Sequence, residues 1–191
     1  MSTIASNKWI DTLEARVHTM AHTVAAWTAL PETQLQHPPA PGAWSAAECI
    51  AHLNAYGDYY LPAIQEVLTR PQPPAVADFK PGWFGAWFTN WLEPDEEGVP
   101  RNKAKAPKDY QPVDVDAHAE LAIFAAQQET MLQLLAQARG VNLGKVRVAM
   151  SVSPLLRLKL GDTFAFTIAH ICRHVRQAER ALASAAAAQV V

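Results

Sequence analysis

The sequence predicts an all-α fold, a four-helix bundle with long connections between its helices. Four segments carry apolar residues at intervals of three and four positions, which is the period of an amphipathic helix. Capping residues, prolines and a glycine border these segments. We find no internal repeat and no alternation of apolar and polar residues strong enough for a sheet. The chain is therefore expected to form one helical domain, residues 1–191.

The first predicted helix covers about residues 7–30 and ends at Pro31, because proline cannot continue a helix. The second begins at Ser45, which forms an S-x-x-E capping box with Glu48, and Pro62 inside this helix predicts a kink. The apolar stripe of the first helix consists of Ile10, Leu13, Val17, Met20, Val24 and Trp27. The stripe of the second consists of Ile50, Leu53, Gly57, Tyr60, Ile64 and Val67.

The third predicted helix covers about residues 115–139 and is ended by Gly140, and the fourth begins at about Asp162. Residues 146–161 are expected to form a connector between them. The third stripe consists of Leu121, Phe124, Gln128, Met131 and Leu135. The fourth consists of Phe164, Ile168, Ile171, Val175, Ala178 and Leu182.

An irregular, aromatic-rich insertion at about 71–114 separates the second helix from the third. A loop this long in a compact domain is usually functional or disordered. Its aromatic cluster predicts a short helix and consists of Trp83, Phe84, Trp87, Phe88 and Trp91. The cluster is expected to pack against the connection, and the alternatives are a lid over a pocket or a dimer surface. The acidic run at 95–97 and the basic run at 101–108 together predict a solvated loop.

The composition excludes several classes of function. The formal net charge of -2 does not favour binding to nucleic acid or to an anionic membrane surface. The two cysteines form no C-x-x-C pair, which indicates a reducing compartment. No secretory signal and no apolar run near the roughly 20 residues of a membrane span is found, so a cytoplasmic location is expected.

Two of the seven histidines form a pair with i, i+4 spacing at His18 and His22, and two more do so at His170 and His174. Either spacing would let one helix face bind a metal. Relative to the apolar stripes, the first pair falls on the outer face of its helix and is expected to be exposed. The second pair flanks the stripe of the fourth helix, where a neighbouring helix packs.

His52 occupies the same flank of the second helix as His170 and His174 occupy on the fourth. Three imidazoles on such flanks can meet between two helices and bind Zn, Ni or Fe(II), with coordination positions left open for water or substrate. The alternative is that each histidine is buried and hydrogen-bonded to a backbone or side-chain partner. On the fourth helix, Arg173 falls on the solvated side and Cys172 points away from the histidine flank.

Four further residues are candidates for the surroundings of this site. Gln177 lies one turn beyond the last histidine and could accept a hydrogen bond from its ring. Tyr56 and Tyr59 share the flank of His52 and could donate hydrogen bonds to a substrate, or could pack with their hydroxyls toward solvent. Glu48 precedes His52 by one turn, although the capping box is its expected role.

These residues lie in two motifs that resemble the DinB/YfiT-like family of four-helix-bundle proteins. One motif is PGAWSAAECIAHLNAYGDYY, which contains His52. The other is LGDTFAFTIAHICRHVRQAER, in which His170, His174 and Gln177 form the pattern H-x-x-x-H-x-x-Q. The resemblance covers most of the chain. It implies a divalent metal, nickel or zinc, on the three histidines, and it implies a homodimer.

The resemblance implies less about the reaction. Characterised relatives include metal-dependent transferases and isomerases that use low-molecular-weight thiols, and the family name carries no implication of DNA binding. We therefore expect either a metal-dependent enzyme, a thiol transferase or a hydrolase acting on a small molecule, or a metal-binding or sensing protein without turnover. The insertion at 71–114 departs from typical members and leaves the substrate class open.

Overall fold

The computed structural model describes residues 2–93, 95, 99, 102 and 105–188. From the two charged runs, Glu96, Glu97, Arg101 and Lys103 lie outside these residues. The α-helices are α1 (Ser6–Ala25), α2 (Glu32–Leu35), α3 (Ala46–Thr69), α4 (Trp83–Leu92), α5 (Ala117–Ala138) and α6 (Leu160–Ala188). The strands are β1 (Ile4–Ala5), β2 (Asp78–Phe79), β3 (Arg147–Met150) and β4 (Ser153–Lys159). None of the helices in these ranges combines the length and the apolar character that crossing a membrane requires.

The four long helices α1, α3, α5 and α6 form a four-helix bundle, as the sequence predicts. Helix α3 packs against α5 and α6, and α1 packs against the same two helices. The first two of the four long helices, α1 and α3, therefore lie diagonally across the bundle. Every residue of the four predicted stripes is buried except Val67, which is half-buried. The inward faces of the helices thus follow directly from the spacing of the apolar residues.

The beginning of α3 is fixed by the predicted capping box. The Oγ atom of Ser45 accepts a hydrogen bond from the backbone N–H of Glu48 at 3.2 Å, and the Glu48 carboxylate accepts one from the Ser45 N–H at 2.7 Å. Two of the N–H groups at the helix start are satisfied in this way. The helix then continues through Pro62 to Thr69.

The expectation that no segment would form a sheet was wrong for the connector at 146–161, although the strands are small and the fold remains helical. Strands β3 and β4 form an antiparallel hairpin in this segment, and β1 pairs with β2 in a second small sheet. In β3 the side chains alternate, with Arg147 exposed and Val148 and Met150 buried. An alternation over four residues is too short to stand out in the sequence, and the pairing with β4 supplies the backbone hydrogen bonds that stabilise it.

The aromatic part of the insertion forms α4, which packs against α6. The carboxylate of Asp162 accepts hydrogen bonds from the Gly82 N–H at 2.9 and 3.2 Å, which joins the start of α4 to the start of α6. Gly85 allows this close approach, because a Cβ atom there would lie 2.6 Å from the side chain of Asp162. The insertion therefore reaches the face of α6 that carries the histidines.

Candidate metal centre

Helices α3 and α6 bring three histidines together inside the bundle. His52 comes from α3, and His170 and His174 come from successive turns of α6. One ring nitrogen from each lies within 4.8 Å of the others, and the Nε2 atoms of His52 and His170 are 3.3 Å apart. Their exposed fractions are only 3%, 7% and 8%. In the described part of the chain, this is the one cluster of three or more potential metal ligands.

Two of these rings are oriented by hydrogen bonds through Nδ1. The Nδ1 atom of His52 lies 2.6 Å from the backbone carbonyl of Tyr110, and that of His174 lies 3.0 Å from the side-chain oxygen of Gln177. Because these oxygens can only accept, each Nδ1 carries the proton and each Nε2 carries a lone pair, which in His52 faces Nε2 of His170 at 3.3 Å. Such hydrogen bonds are typical of metal-binding histidines, whose ring orientation and tautomer they fix.

The environment keeps all three rings neutral. Burial lowers the pKa of His52, and the carbonyl of Tyr110 opposes this effect in part. Burial and the neighbouring His174 and His52 hold the pKa of His170 well below its ordinary value. Burial also lowers the pKa of His174 to about 3, with His52 and Arg173 contributing in the same direction. Neutral imidazole is the form that binds metal ions, so the site needs no deprotonation at neutral pH.

The donor set fits a divalent transition metal. Two imidazole nitrogens bound to one tetrahedral ion at about 2.0–2.1 Å are themselves about 3.3 Å apart, and the Nε2 atoms of His52 and His170 are separated by 3.3 Å. The widest separation in the cluster, up to 4.8 Å, requires a small inward rotation of a ring. Three neutral nitrogen ligands suit Zn, Ni and Fe(II) and leave room for further ligands.

A cavity of about 610 Å³ opens beside the three histidines. Its walls are largely aromatic and include Trp44, Tyr56, Tyr60, Phe88, Trp91 and Phe166. The ring of Trp44 lies 4.8 Å from the His52 ring, and the ring of Tyr56 lies 4.5 Å from the His170 ring. A volume of this size suits a small organic molecule, and aromatic walls favour one with an apolar part.

The other predicted site residues differ in where they lie. Tyr56 lines the cavity, and burial raises its pKa to about 12, so its hydroxyl keeps its proton and can donate a hydrogen bond. Tyr59 is half-buried and packs against Tyr60, which takes the place in the cavity wall expected for Tyr59. Glu48 is held in the capping box, its expected role, and does not line the cavity.

The prediction that Arg173 faces solvent was wrong. Its side chain is only 6% exposed and lines the cavity. The insertion covers this face of α6, because the Trp91 ring lies 5.7 Å from the guanidinium and the backbone carbonyl of Asn102 accepts a hydrogen bond from Nη2. Helical periodicity places Arg173 opposite the bundle interior, but it carries no information about an element packed from outside. Cys172 is buried beside Arg16 and does not line the cavity.

Several further residues form the site, and most of them were not predicted to contact the histidines. Trp44 precedes the capping box within the first family-like motif, but its contact with the rings of His52 and His174 depends on the fold. Tyr110 orients His52 through a backbone carbonyl, which any residue could supply. The aromatic cluster contributes Phe88 and Trp91 to the cavity wall, as the lid alternative anticipated, whereas Trp83 and Trp87 are exposed.

Comparison with known proteins identifies the family to which the chain belongs. The sequence pattern of the DinB superfamily matches residues 17–178, which include all three histidines. A solved structure of YfiT from Bacillus subtilis, described as a probable metal-dependent hydrolase with an unusual four-helix bundle topology, shares 17% sequence identity with this chain. The alignment covers 92% of this chain and 85% of that one, with a TM-score of 0.48. No curated protein matches significantly. On the strength of the match over 17–178, the chain belongs to the DinB superfamily.

Proposed function

We propose that His52, His170 and His174 bind one divalent transition-metal ion, Zn or Ni or alternatively Fe, and that the protein is a metal-dependent enzyme acting on a small molecule. The observation that carries this proposal is the combination of three neutral imidazoles with an adjoining cavity of about 610 Å³. A purely structural histidine cluster needs no such cavity. A site for catalysis needs both the ligands and space for a substrate.

When bound, such a metal supplies Lewis acidity and lowers the pKa of a water or thiol ligand. The chain provides the remaining requirements. The carbonyl of Tyr110 and the amide of Gln177 hold two of the rings in the binding orientation. The apolar aromatic walls lower the local polarity, which strengthens electrostatic interactions inside the cavity. The Tyr56 hydroxyl, which stays protonated, can donate a hydrogen bond to a substrate oxygen.

Of the two reactions, hydrolysis and thiol transfer, the residues that line the cavity favour thiol transfer. In the described part of the chain, no aspartate or glutamate lines the cavity, so no carboxylate stands ready to take a proton from an attacking water. A thiol, with an ordinary pKa of about 8.5, needs much less assistance to become a nucleophile than water does. In the proposed reaction the thiolate sulfur forms a bond to an electrophilic carbon, the leaving group departs with its electron pair, and the thiol proton passes to solvent.

Metal content tests the first half of the proposal. The purified full-length protein, stripped with a chelator and reloaded with Zn²⁺, Ni²⁺ or Fe²⁺, is expected to bind about one equivalent with all three histidines. The variant His52→Ala should bind far less than one equivalent and should keep its helical circular dichroism spectrum. Substoichiometric metal in the unaltered protein, together with unchanged content in His52→Ala, contradicts the metal site.

Turnover tests the second half. Protein loaded with each metal is incubated with a low-molecular-weight thiol and a chromogenic aryl halide, and in parallel with a nitrophenyl ester and no thiol. We expect metal-dependent formation of the thioether that His52→Ala abolishes. Ester hydrolysis exceeding thioether formation would favour the hydrolase instead. Full metal loading without turnover of either substrate contradicts catalysis and leaves a metal-binding or sensing protein.

A further inference from the structure

A buried arginine in the cavity wall has no counter-charge among the described residues. Arg173 is only 6% exposed, and its Nη2 atom donates a hydrogen bond to the backbone carbonyl of Asn102. Its Nη1 atom is buried and has no hydrogen-bond partner among the described residues. Removing a guanidinium from water without a carboxylate partner is unfavourable, and proteins rarely retain such a group unless something compensates for it.

A second arginine in the same protein shows the usual solution. Arg16 on α1 makes a bidentate pair with Glu93, with N–O distances of 2.7 and 2.9 Å. That pairing raises the pKa of Arg16, despite its partial burial. Around Arg173 the situation differs, because among the described residues its guanidinium bonds only the neutral carbonyl of Asn102 and its Nη1 has no partner. Within the described part of the chain, the fold therefore pairs one arginine with a carboxylate and leaves the other without one.

The surroundings of Arg173 indicate what would neutralise it. The Trp91 ring covers one side of the guanidinium at 5.7 Å, and the buried Nη1 is the group that still lacks an acceptor among the described residues. Lys105 adds a second positive charge to the cavity, and no described aspartate or glutamate lines it. A guanidinium edge matches the two oxygens of a carboxylate, and aromatic walls suit an apolar body.

We propose that the cavity is specific for a small organic carboxylate whose anionic group is bound by Arg173. Arg173 directly precedes His174 on α6 and lines the same cavity, so the rest of the ligand extends toward the three histidines. We take this carboxylate to be the substrate of the metal-dependent reaction, which rests on the proposed function. The anion site itself requires no metal, which allows the two ideas to be tested separately.

The test uses the full-length, metal-free protein in the presence of a chelator, with benzoate and its neutral analogue benzamide as probes. Binding is followed by tryptophan fluorescence and by calorimetry. Because a hydrogen bond to a charged group is worth about tenfold or more in affinity, benzoate should bind at least about tenfold more tightly than benzamide. Equal affinities for the two probes, or no binding of benzoate, overturn the proposal.

Three variants assign the effect to Arg173. Arg173→Gln should reduce benzoate affinity to the benzamide level, and Arg173→Lys should retain part of it, because an ammonium supplies charge without the planar edge. The control is Arg176→Gln, since Arg176 is exposed, pairs with Glu179 at 2.8 Å and does not line the cavity. It should bind benzoate as the unaltered protein does. Undiminished binding to Arg173→Gln contradicts the proposal.

Melting temperatures guard against a variant that fails to fold. Without ligand, Arg173→Gln should melt no lower than the unaltered protein, because it removes an unpaired buried charge. Benzoate should raise the melting temperature of the unaltered protein and not that of Arg173→Gln. If Arg173→Gln does not fold, Arg173→Lys and the comparison of benzoate with benzamide still decide the question.

A metal-loaded titration separates this inference from the proposed function. If benzoate binds only after Zn²⁺ is added, and His170→Ala abolishes that binding while Arg173→Gln does not, the metal holds the anion and the Arg173 proposal is wrong. If the protein binds no metal at all, the proposed function fails, whereas the metal-free titration still supports or refutes the anion site. Each idea can therefore fail without the other.

Discussion

Two pairs of histidines in this protein share the same i, i+4 spacing and differ in almost everything else. His18 and His22 on α1 are exposed. His170 and His174 on α6 are buried, and α3 supplies His52 opposite them. Because both pairs satisfy the spacing that a metal needs on one helix, spacing alone cannot define a site. The face of the helix decides, since only a buried flank brings a third ligand within reach.

The largest expected effect tests the difference between the buried and the exposed histidine pair directly. His170→Ala removes one of three ligands, and we expect metal affinity to fall by at least about a hundredfold. The matched control His22→Ala removes a histidine with the same spacing from the exposed face and should leave metal affinity unchanged. Calorimetric titration of Zn²⁺ into both metal-free variants measures the difference. Equal losses in the two variants would show that the exposed pair also binds metal.

A smaller effect is expected for Gln177, which contacts one of the proposed ligands but does not itself bind the metal. Gln177→Ala removes the acceptor 3.0 Å from Nδ1 of His174, and such a loss typically costs about 10–100-fold in metal affinity. Gln177→Glu keeps an acceptor and should retain most of the affinity. A metal affinity that is the same in Gln177→Ala and in the unaltered protein would show that the hydrogen bond to Gln177 does not orient His174.

The buried triad also predicts how stability depends on pH. In the folded protein the pKa of His174 is lowered to about 3 from an ordinary 6.5. Below pH 6.5 the His174 ring is protonated in the unfolded chain but stays neutral in the folded protein. The free energy of unfolding therefore falls as pH falls, until the ring also titrates in the folded state near pH 3. The slope in this window is about 1.4 kcal/mol per pH unit for each such histidine.

Denaturant unfolding of the metal-free protein between pH 7 and pH 4 measures this slope. His174→Gln should flatten the decline by roughly one proton, because glutamine does not titrate. A slope unaffected by His174→Gln would mean that the His174 ring is already protonated or exposed in the folded state.

The comparison also shows why part of the site followed from the sequence. The apolar stripes of α3 and α6 are long and regular, so they fixed which flank carries His52, His170 and His174. The same stripes correctly left His18 and His22 exposed. Wherever a long helix packs only through its stripe, periodicity determines which side chains meet. The convergence of the three rings also required that α3 and α6 be neighbours in the right axial register, which periodicity does not determine.

The parts that could not be predicted depend on contacts between distant segments. Arg173 lies on the outer side of the α6 stripe, and it is buried because Trp91 from the insertion packs over it. Tyr110 reaches His52 through a backbone carbonyl 58 positions away in the chain. The hairpin of β3 and β4 is stabilised by pairing rather than by local propensity. None of these contacts leaves a periodic pattern in the sequence.

The smallest expected effect tests whether Glu48 acts as a helix cap or contributes to the metal centre. Glu48 lies one turn from His52, yet its carboxylate accepts the Ser45 N–H at 2.7 Å as part of the capping box. Ser45→Ala should therefore lower the free energy of unfolding by about 1 kcal/mol, the usual cost of losing a helix cap. It should leave metal affinity unchanged, because the cap positions the start of α3 and not the ring of His52. Glu48→Gln, which keeps a capping acceptor, should change both quantities even less. If Glu48→Gln instead weakens metal binding without altering stability, Glu48 acts on the metal centre and not as a cap. In that case, a residue near His52 in the helix would affect metal binding even without contacting the histidine rings.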